Sequence, residues 1–375
     1  MTIPLSLYIH IPWCIKKCPY CDFNSHALNG VIPEKAYIDQ LLKDLQAQQS
    51  LVQNRVIDSI FIGGGTPSLF SPEGYATLFS ALKNNLNFSN NIEITLEANP
   101  GTTEASQFQG YFDAGINRIS LGVQSFQDDK LKLLGRIHES DHAKNALSQA
   151  KNAGFKRINV DLMFGLPNQT TKDALFDLQT AIDLSPTHIS WYQLTLEPNT
   201  YFHRFPPILP SDDARFEIQQ KGQALLHKNG FLQYEISAYS KNDPCRHNMN
   251  YWQFGDYLGI GAGAHAKLTD LKTMQINRRM PPKNPKQYLA ADLHAVEIQA
   301  ITRDQLPLEF MMNALRLNQP IGIDLFEIRT GLPFSLIENP LKKAIKNNLL
   351  QVENNHFLVT DHGKLFLNEL LEIFL

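Results

Sequence analysis

Three of the chain's four cysteines fall close together, as Cys14-x-x-x-Cys18-x-x-Cys21. Thiolates at such spacing are the ligands that iron–sulfur clusters use. A four-iron cubane needs four ligands, so three neighbouring thiolates leave one iron able to take a small molecule. A tetrahedral zinc is the alternative, with His10 or His26 as a fourth ligand. Lys16 and Lys17 sit beside the thiols and favour their ionised form. Three thiols this close cannot all pair with one another, and only Cys245 remains elsewhere, so a disulfide framework does not fit. The pattern suits reduced thiols in the cytosol.

The elements that must position these residues alternate. Stretches 5–10, 57–62, 92–97, 118–123, 157–163 and 188–194 are rich in Ile, Val and aromatic residues, as buried parallel strands should be. Between them, 34–52 places Tyr37, Ile38, Leu41, Leu42 and Leu45 on one helical face. Ser71 before Pro72 predicts a helix start, and Asp141 predicts a cap for a helix over 142–152. Gly115, Gly154 and Gly230 each close a helical pattern, as a left-handed residue after a helix does. Repeated βα units imply a parallel sheet. The fold class is therefore α/β, an incomplete TIM-like (β/α) barrel, with a doubly wound open sheet as the competing topology.

Pro206-Pro207 and Pro210, then Pro281-Pro282 and Pro285, interrupt the rhythm. They suggest a partial barrel over 1–210, an extension over 211–300 and a separate domain over 301–375. In that last part, helix-like segments over 303–347 precede a hairpin, 349–352 and 357–360, turning at Asn354-Asn355. A final amphipathic helix is predicted over 361–374. Helices followed by a hairpin make a small winged-helix-like unit, from which nucleic-acid binding does not follow.

Composition sets the outer limits. A chain of 375 residues, 43% hydrophobic and 19% charged, can build one large domain and a smaller one. A formal net charge of -3 argues against a polyanion-binding surface, so no nucleic-acid partner is expected. No apolar run approaches the ~20 residues of a membrane helix. Residues 1–13 are apolar, contain Pro4 and Pro12 and lack a basic leader, so they read as a first strand and not as a signal peptide.

The run Tyr8-Ile9-His10-Ile11-Pro12-Trp13-Cys14, continuing through Cys18-Pro19-Tyr20-Cys21-Asp22-Phe23-Asn24, resembles the radical-SAM proteins. More narrowly it is similar to the family of oxygen-independent coproporphyrinogen III oxidase and its haem-chaperone relatives, and the likeness covers nearly the whole chain. The resemblance implies a 4Fe–4S cluster on Cys14, Cys18 and Cys21, S-adenosylmethionine at the open iron, and an electron donor for the cluster. In such proteins the cofactors carry the hard chemistry while the barrel positions and shields them. Family positions that bind S-adenosylmethionine match Tyr8, Tyr20, Gly64, Gly65, Thr66, Glu97, Gln124, Arg136 and Asp161, with Thr195 adding a backbone contact to the adenine. Gly63-Gly64-Gly65 removes side chains so that backbone can approach a ligand. Glu97 suits two ribose hydroxyls, since a carboxylate accepts both hydrogen bonds. The plainer reading gives Glu97, Arg136 and Asp161 buried salt bridges or caps.

Two departures separate this chain from the oxidase branch. Where the oxidase carries a further cysteine, two residues past the third, this sequence has Phe23, and the oxidase's N-terminal extension has no counterpart before Tyr8. In the other direction, His247-Asn248-x-x-Tyr251-Trp252 resembles the haem-binding motif of the chaperone branch. A neutral imidazole is a good axial ligand for haem iron. Tyr251 and Trp252 can line a flat macrocycle. The bland alternative makes His247 a hydrogen-bonded structural histidine. Cys245 and His265 are weaker candidate ligands. The sequence thus leads to a cytoplasmic haem chaperone, with a radical-SAM coproporphyrinogen III oxidase, decarboxylating porphyrinogen propionates, as the competing reading that the two departures argue against. The chaperone binds haem, a 4Fe–4S cluster and S-adenosylmethionine, and it passes haem to an acceptor such as a respiratory membrane protein. A homodimer and a peripheral position at the inner membrane face are compatible with that expectation.

Overall fold

A computed structural model describes residues 3–375; of the stretch read as leading into the first strand, Met1 and Thr2 lie outside the described residues. All the expected strands form: Leu5–Ile11, Val56–Gly64, Asn87–Ala98, Arg118–Gln124, Arg157–Phe164 and His188–Gln193. They pair in parallel and in chain order. A doubly wound sheet would reverse that order at a switch point. Here each strand joins the far side of its predecessor, as in a TIM-like barrel. One parallel strand was not foreseen: Asp256–Ile260 pairs with the free edge of Leu5–Ile11. Antiparallel strands extend both edges into a 12-stranded sheet that stays open, so the barrel is incomplete.

Each barrel strand alternates in a way that a uniformly buried parallel strand would not. Leu7, Ile9, Ile60, Ile62, Ile119, Leu121, Val160 and Leu162 are fully enclosed in the main apolar core. Their neighbours along the same strands, among them Tyr8, Glu97, Ser120, Asp161 and Ser190, line cavities. With a side-chain period of two, one face of the sheet meets helices and the other holds polar groups.

Helix Glu34–Val52 does more than cover the sheet. Its buried face carries polar Gln40, Asp44 and Gln48 at four-residue spacing. Gln40 donates to the carbonyls of Tyr288 and Ala291, and Gln48 to that of Gly259. Asp44 accepts from the Gly261 N–H (3.0 Å), from Arg279 (2.7 Å) and from the Tyr288 hydroxyl (3.0 Å). This ladder clamps residues 259–291, the segment that follows the unforeseen parallel strand.

Two expected helix boundaries are corrected. Helix Ser140–Asn152 starts at Glu139, whose N–H donates to His142 Nδ1 at 3.2 Å; Asp141 is already inside the first turn, paired with Lys144. The final helix breaks into Asp361–Leu365 and Leu367–Glu372. Phe366 leaves helical geometry (φ −116°, ψ 42°) with its ring against His362. Before them, Leu306–Ala314, Asp324–Thr330 and Ser335–Lys346 precede the hairpin of Leu350–Glu353 and His356–Val359. Asn354 and Asn355 turn it with φ of 48° and 63°, the left-handed pair such a tight hairpin requires. Ile321–Gly322 adds a third strand, and these elements share a second apolar core. Among the described residues no helix is long and apolar enough to cross a membrane.

Because Asp44 is the only ladder member facing a buried cation, Asp44→Ala leaves Arg279 without its carboxylate. The substitution is expected to cost about 3–5 kcal/mol, as removal of one partner from a buried pair does. Urea unfolding measures it, and a loss below ~1 kcal/mol would show that the clamp is dispensable.

Candidate functional site

The cysteine loop and the glycine loop leave adjacent strands and are joined as they leave. The Gly65 N–H donates to the Ile11 carbonyl and the Thr66 N–H to that of Trp13, each at 2.7 Å. A Cβ on Gly65 would stand 2.5 Å from the Trp13 oxygen, and one on Gly64 would stand 2.5 Å from the His10 ring. The glycines thus admit neighbouring protein, a closeness no side chain would permit. Beyond that contact, Trp13–Cys14 pairs with His26–Ala27, which folds the intervening loop back on itself. Cys14, Cys18 and Cys21 then line one cavity of about 450 Å³.

All three are free thiols, and burial raises the Cys14 thiol above its ordinary range. The Arg136 guanidinium donates to Cys18 Sγ at 3.6 Å, and Ser25 Oγ lies 3.6 Å from Cys21 Sγ. Arg136 and Lys16 thus bring two cationic side chains to the cavity that the thiols line. Lys17, read as serving the thiols, instead donates to the Phe23 and Ser25 carbonyls and ties the loop together. Neither imidazole considered for zinc is offered to the thiols. His10 is spent on the Tyr8 hydroxyl (2.9 Å) and the Asn24 carbonyl (2.8 Å), and His26 Nε2 on Asn24 Oδ1 (3.1 Å). Three thiols around a roomy cavity, with no imidazole beside them, fit a cubane with an open iron better than a single tetrahedral ion. Cys245 is remote from them, buried beside Glu93 with its thiol pushed up to about 11 by burial.

Tyr20, Gly64, Gly65, Thr66, Glu97, Gln124, Arg136 and Asp161 line the same cavity as the thiols. Their polar partners are neutral groups. Glu97 accepts from the Gly64 N–H at 3.2 Å, and Asp161 accepts from Ser120 Oγ and Asn159 Nδ2. Arg136 donates to Asn99 Oδ1 and the Gly122 carbonyl, each at 2.7 Å. Glu97, Arg136 and Asp161 face the cavity and, among the described residues, form no salt bridge with one another. Burial, with Asp161 nearby, pushes the Glu97 carboxyl up to about 8, and burial also raises Asp161. Gln124 holds φ at +71°, strained for a residue with a side chain, while its Oε1 accepts from the Tyr192 hydroxyl at 2.7 Å. Strain of that kind at a strand end is typical of ligand sites. Ser120, Ser190, Tyr192 and Asn99 also line the cavity and were missed. The polar–apolar alternation within their strands was the available signal. Thr195 is exposed just past its strand and lies off the cavity wall.

Tyr8 faces a second cavity of about 400 Å³ with Phe23, Tyr251, Tyr257, His265 and Lys283. Gly64, Glu97 and Phe23 line both cavities, so the two share a wall. The residues of the H-N-x-x-Y-W motif diverge. His247, on helix Arg246–Trp252, is 1% exposed, stacked on Phe61 with Nδ1 3.1 Å from Ser59 Oγ. Burial lowers its pKa to about 3, so it is neutral, and Nε2 has no partner among the described residues. Asn248 donates to the Tyr234 hydroxyl, and Trp252 packs by the second core beneath Arg316. Of the four, Tyr251 is the one that lines the second cavity.

Comparison with known proteins places this geometry. The profile of the radical SAM superfamily matches residues 8–180, and that of the HemN C-terminal domain matches residues 301–366. The chain is 55% identical to the haem chaperone HemW of Haemophilus influenzae, over 99% of this chain and 98% of that protein. It is 48% identical to HemW of Escherichia coli, over 99% and 98%. Among solved structures it is similar to the radical SAM enzyme coproporphyrinogen III oxidase (HemN) of Escherichia coli. There the TM-score is 0.83 and the identity 25%, covering 99% of this chain and 90% of the other.

Replacing Cys14, Cys18 or Cys21 by Ala is expected to abolish the broad visible absorbance of an anaerobically reconstituted cluster, whereas Cys245→Ala retains it. Binding of S-adenosylmethionine, followed by equilibrium dialysis, should strengthen as pH rises through about 8, where Glu97 ionises and becomes a double acceptor. Glu97→Gln should bind weakly and without that dependence.

Proposed function

The chain belongs, over its full length, to the HemW family of the radical SAM superfamily, and on that premise we propose that it is a haem chaperone. It binds haem, holds a 4Fe–4S cluster on Cys14, Cys18 and Cys21, and takes S-adenosylmethionine in the cavity those thiols line. It delivers the haem to an acceptor haem protein, for which a respiratory membrane protein is the expected class. The observation that carries this reading is the contrast in similarity: 55% identity to a haem chaperone, over 99% of this chain and 98% of that one, against 25% to the oxidase that shares the fold. Phe23 agrees with it. Where the oxidase branch carries a further cysteine, this chain presents an aromatic ring, 62% exposed, at the rim of both cavities.

The cluster, when bound, supplies electrons to S-adenosylmethionine. The chain's own residues orient and shield. Arg136 fixes the Cys18 side of the loop through Asn99 and the Gly122 carbonyl. Glu97 is placed for the ribose hydroxyls, and Gln124 and Asp161 for the remaining polar edges. Four free thiols support a reducing, cytoplasmic setting, in which an electron donor can reach the cluster loop.

Two assays separate chaperone from oxidase. Incubated anaerobically with coproporphyrinogen III, S-adenosylmethionine and a strong reductant, the protein is expected to form no decarboxylated porphyrinogen. Haem-loaded protein mixed with an apo-haem protein is expected to surrender its haem. Decarboxylated product, with haem retained, would make the oxidase the correct reading.

A further inference from the structure

The haem-chaperone reading leaves open where haem sits, and the two histidines offered for its iron differ sharply in access. His247 is enclosed between Phe61 (ring centroids 5.2 Å apart) and Tyr251 (4.8 Å, edge-on) and lines neither cavity. Its Nε2 is buried, so an iron atom could reach it only if the enclosing side chains moved apart. His265 is exposed at the second cavity, and its ring makes no hydrogen bond to a described residue. Partial desolvation, with Lys283 and Arg278 nearby, lowers its pKa, and a neutral imidazole is the ligating form.

The rest of that cavity has the character of a macrocycle site. Tyr8, Tyr251 and Tyr257 supply flat walls, and Lys283 an exposed cation at the edge. Its volume of about 400 Å³ lies within the range usual for small-molecule sites. The backbone carrying His265 is rigid. The Gly261 N–H is held by Asp44 and the Ala262 N–H by the Tyr37 hydroxyl (2.9 Å). A Cβ on Gly259 would stand 1.9 Å from the His265 carbonyl oxygen, so strand and turn are in close contact. Asn24 of the cysteine loop donates to the carbonyls of both Ala262 and Lys283, which bracket the site. Such preorganisation is what a ligand site needs from its surroundings.

Resting on the haem-chaperone reading, we propose that haem occupies this second cavity with the His265 imidazole as its iron ligand and Lys283 paired with a propionate. Tyr251 contacts the macrocycle face. His247 is a positioning residue: it holds Tyr251 edge-on from beneath, which explains why the motif's histidine is buried while its tyrosine reaches the cavity.

The test is an anaerobic haemin titration, followed by the Soret band, of the cluster-loaded wild type, His265→Ala, His265→Met and His247→Gln. His265→Ala should weaken binding on the order of tenfold or more. His265→Met should restore binding with a shifted Soret band, a signature that only a change of iron ligand produces. His247→Gln should keep the wild-type band position even if affinity falls. A wild-type band and affinity in His265→Ala, or a band shift confined to His247→Gln, overturns the assignment and leaves the chaperone reading standing. Absence of saturable binding by the wild type removes both. The decisive substitutions are at an exposed residue, so folding does not confound them.

Discussion

The contact between Gly64-Gly65 and the end of the first strand is the constraint on which the site depends. Two parallel strands end side by side, and the loops that leave them are joined by short backbone hydrogen bonds to Ile11 and Trp13. That closeness requires residues without a Cβ on one side, and it delivers Cys14 to the cavity wall on the other. The same glycine turn donates to Glu97 from the next strand. One backbone arrangement therefore fixes the first cysteine of the loop, the carboxyl group between the cavities, and the ring of His10. His10 in turn orients Tyr8 toward the second cavity.

A second, independent set of polar contacts closes the molecule on the other side. Gln40, Asp44 and Gln48 hold residues 259–291 against the first helix, and Asn24 joins that segment to the cysteine loop. The two cavities consequently share walls and backbone supports. Glu97 and Phe23 stand in the wall between them.

The strands and the cysteine loop were legible in the sequence because their signals are local: β-branched runs, a cysteine spacing, a glycine triplet. The C-terminal hairpin was legible for the same reason, since Asn354-Asn355 can hold two left-handed residues in succession. The alternation inside each barrel strand was present but was overridden by the expectation that parallel strands are apolar on both faces. Helix Glu34–Val52 hid its clamp because glutamine and aspartate at four-residue spacing look like a solvated face until their partners, some 210–250 residues away, are in place. The H-N-x-x-Y-W motif was legible as a motif and not as geometry. His247 and Tyr251 lie one turn apart on the same helix face with their rings in contact, yet only Tyr251 of the two reaches the cavity, and spacing alone does not say how deep each turn sits.

The central claim is that one chain holds a cluster and a haem in neighbouring, separate cavities. Anaerobic loading with iron, sulfide and then haemin, followed by measurement of iron, sulfide and haem on the same purified protein, tests it most directly. Separate cavities predict a full 4Fe–4S cluster together with one haem per chain. Haem that enters only as the cluster is lost would place it on the cysteines and contradict the account.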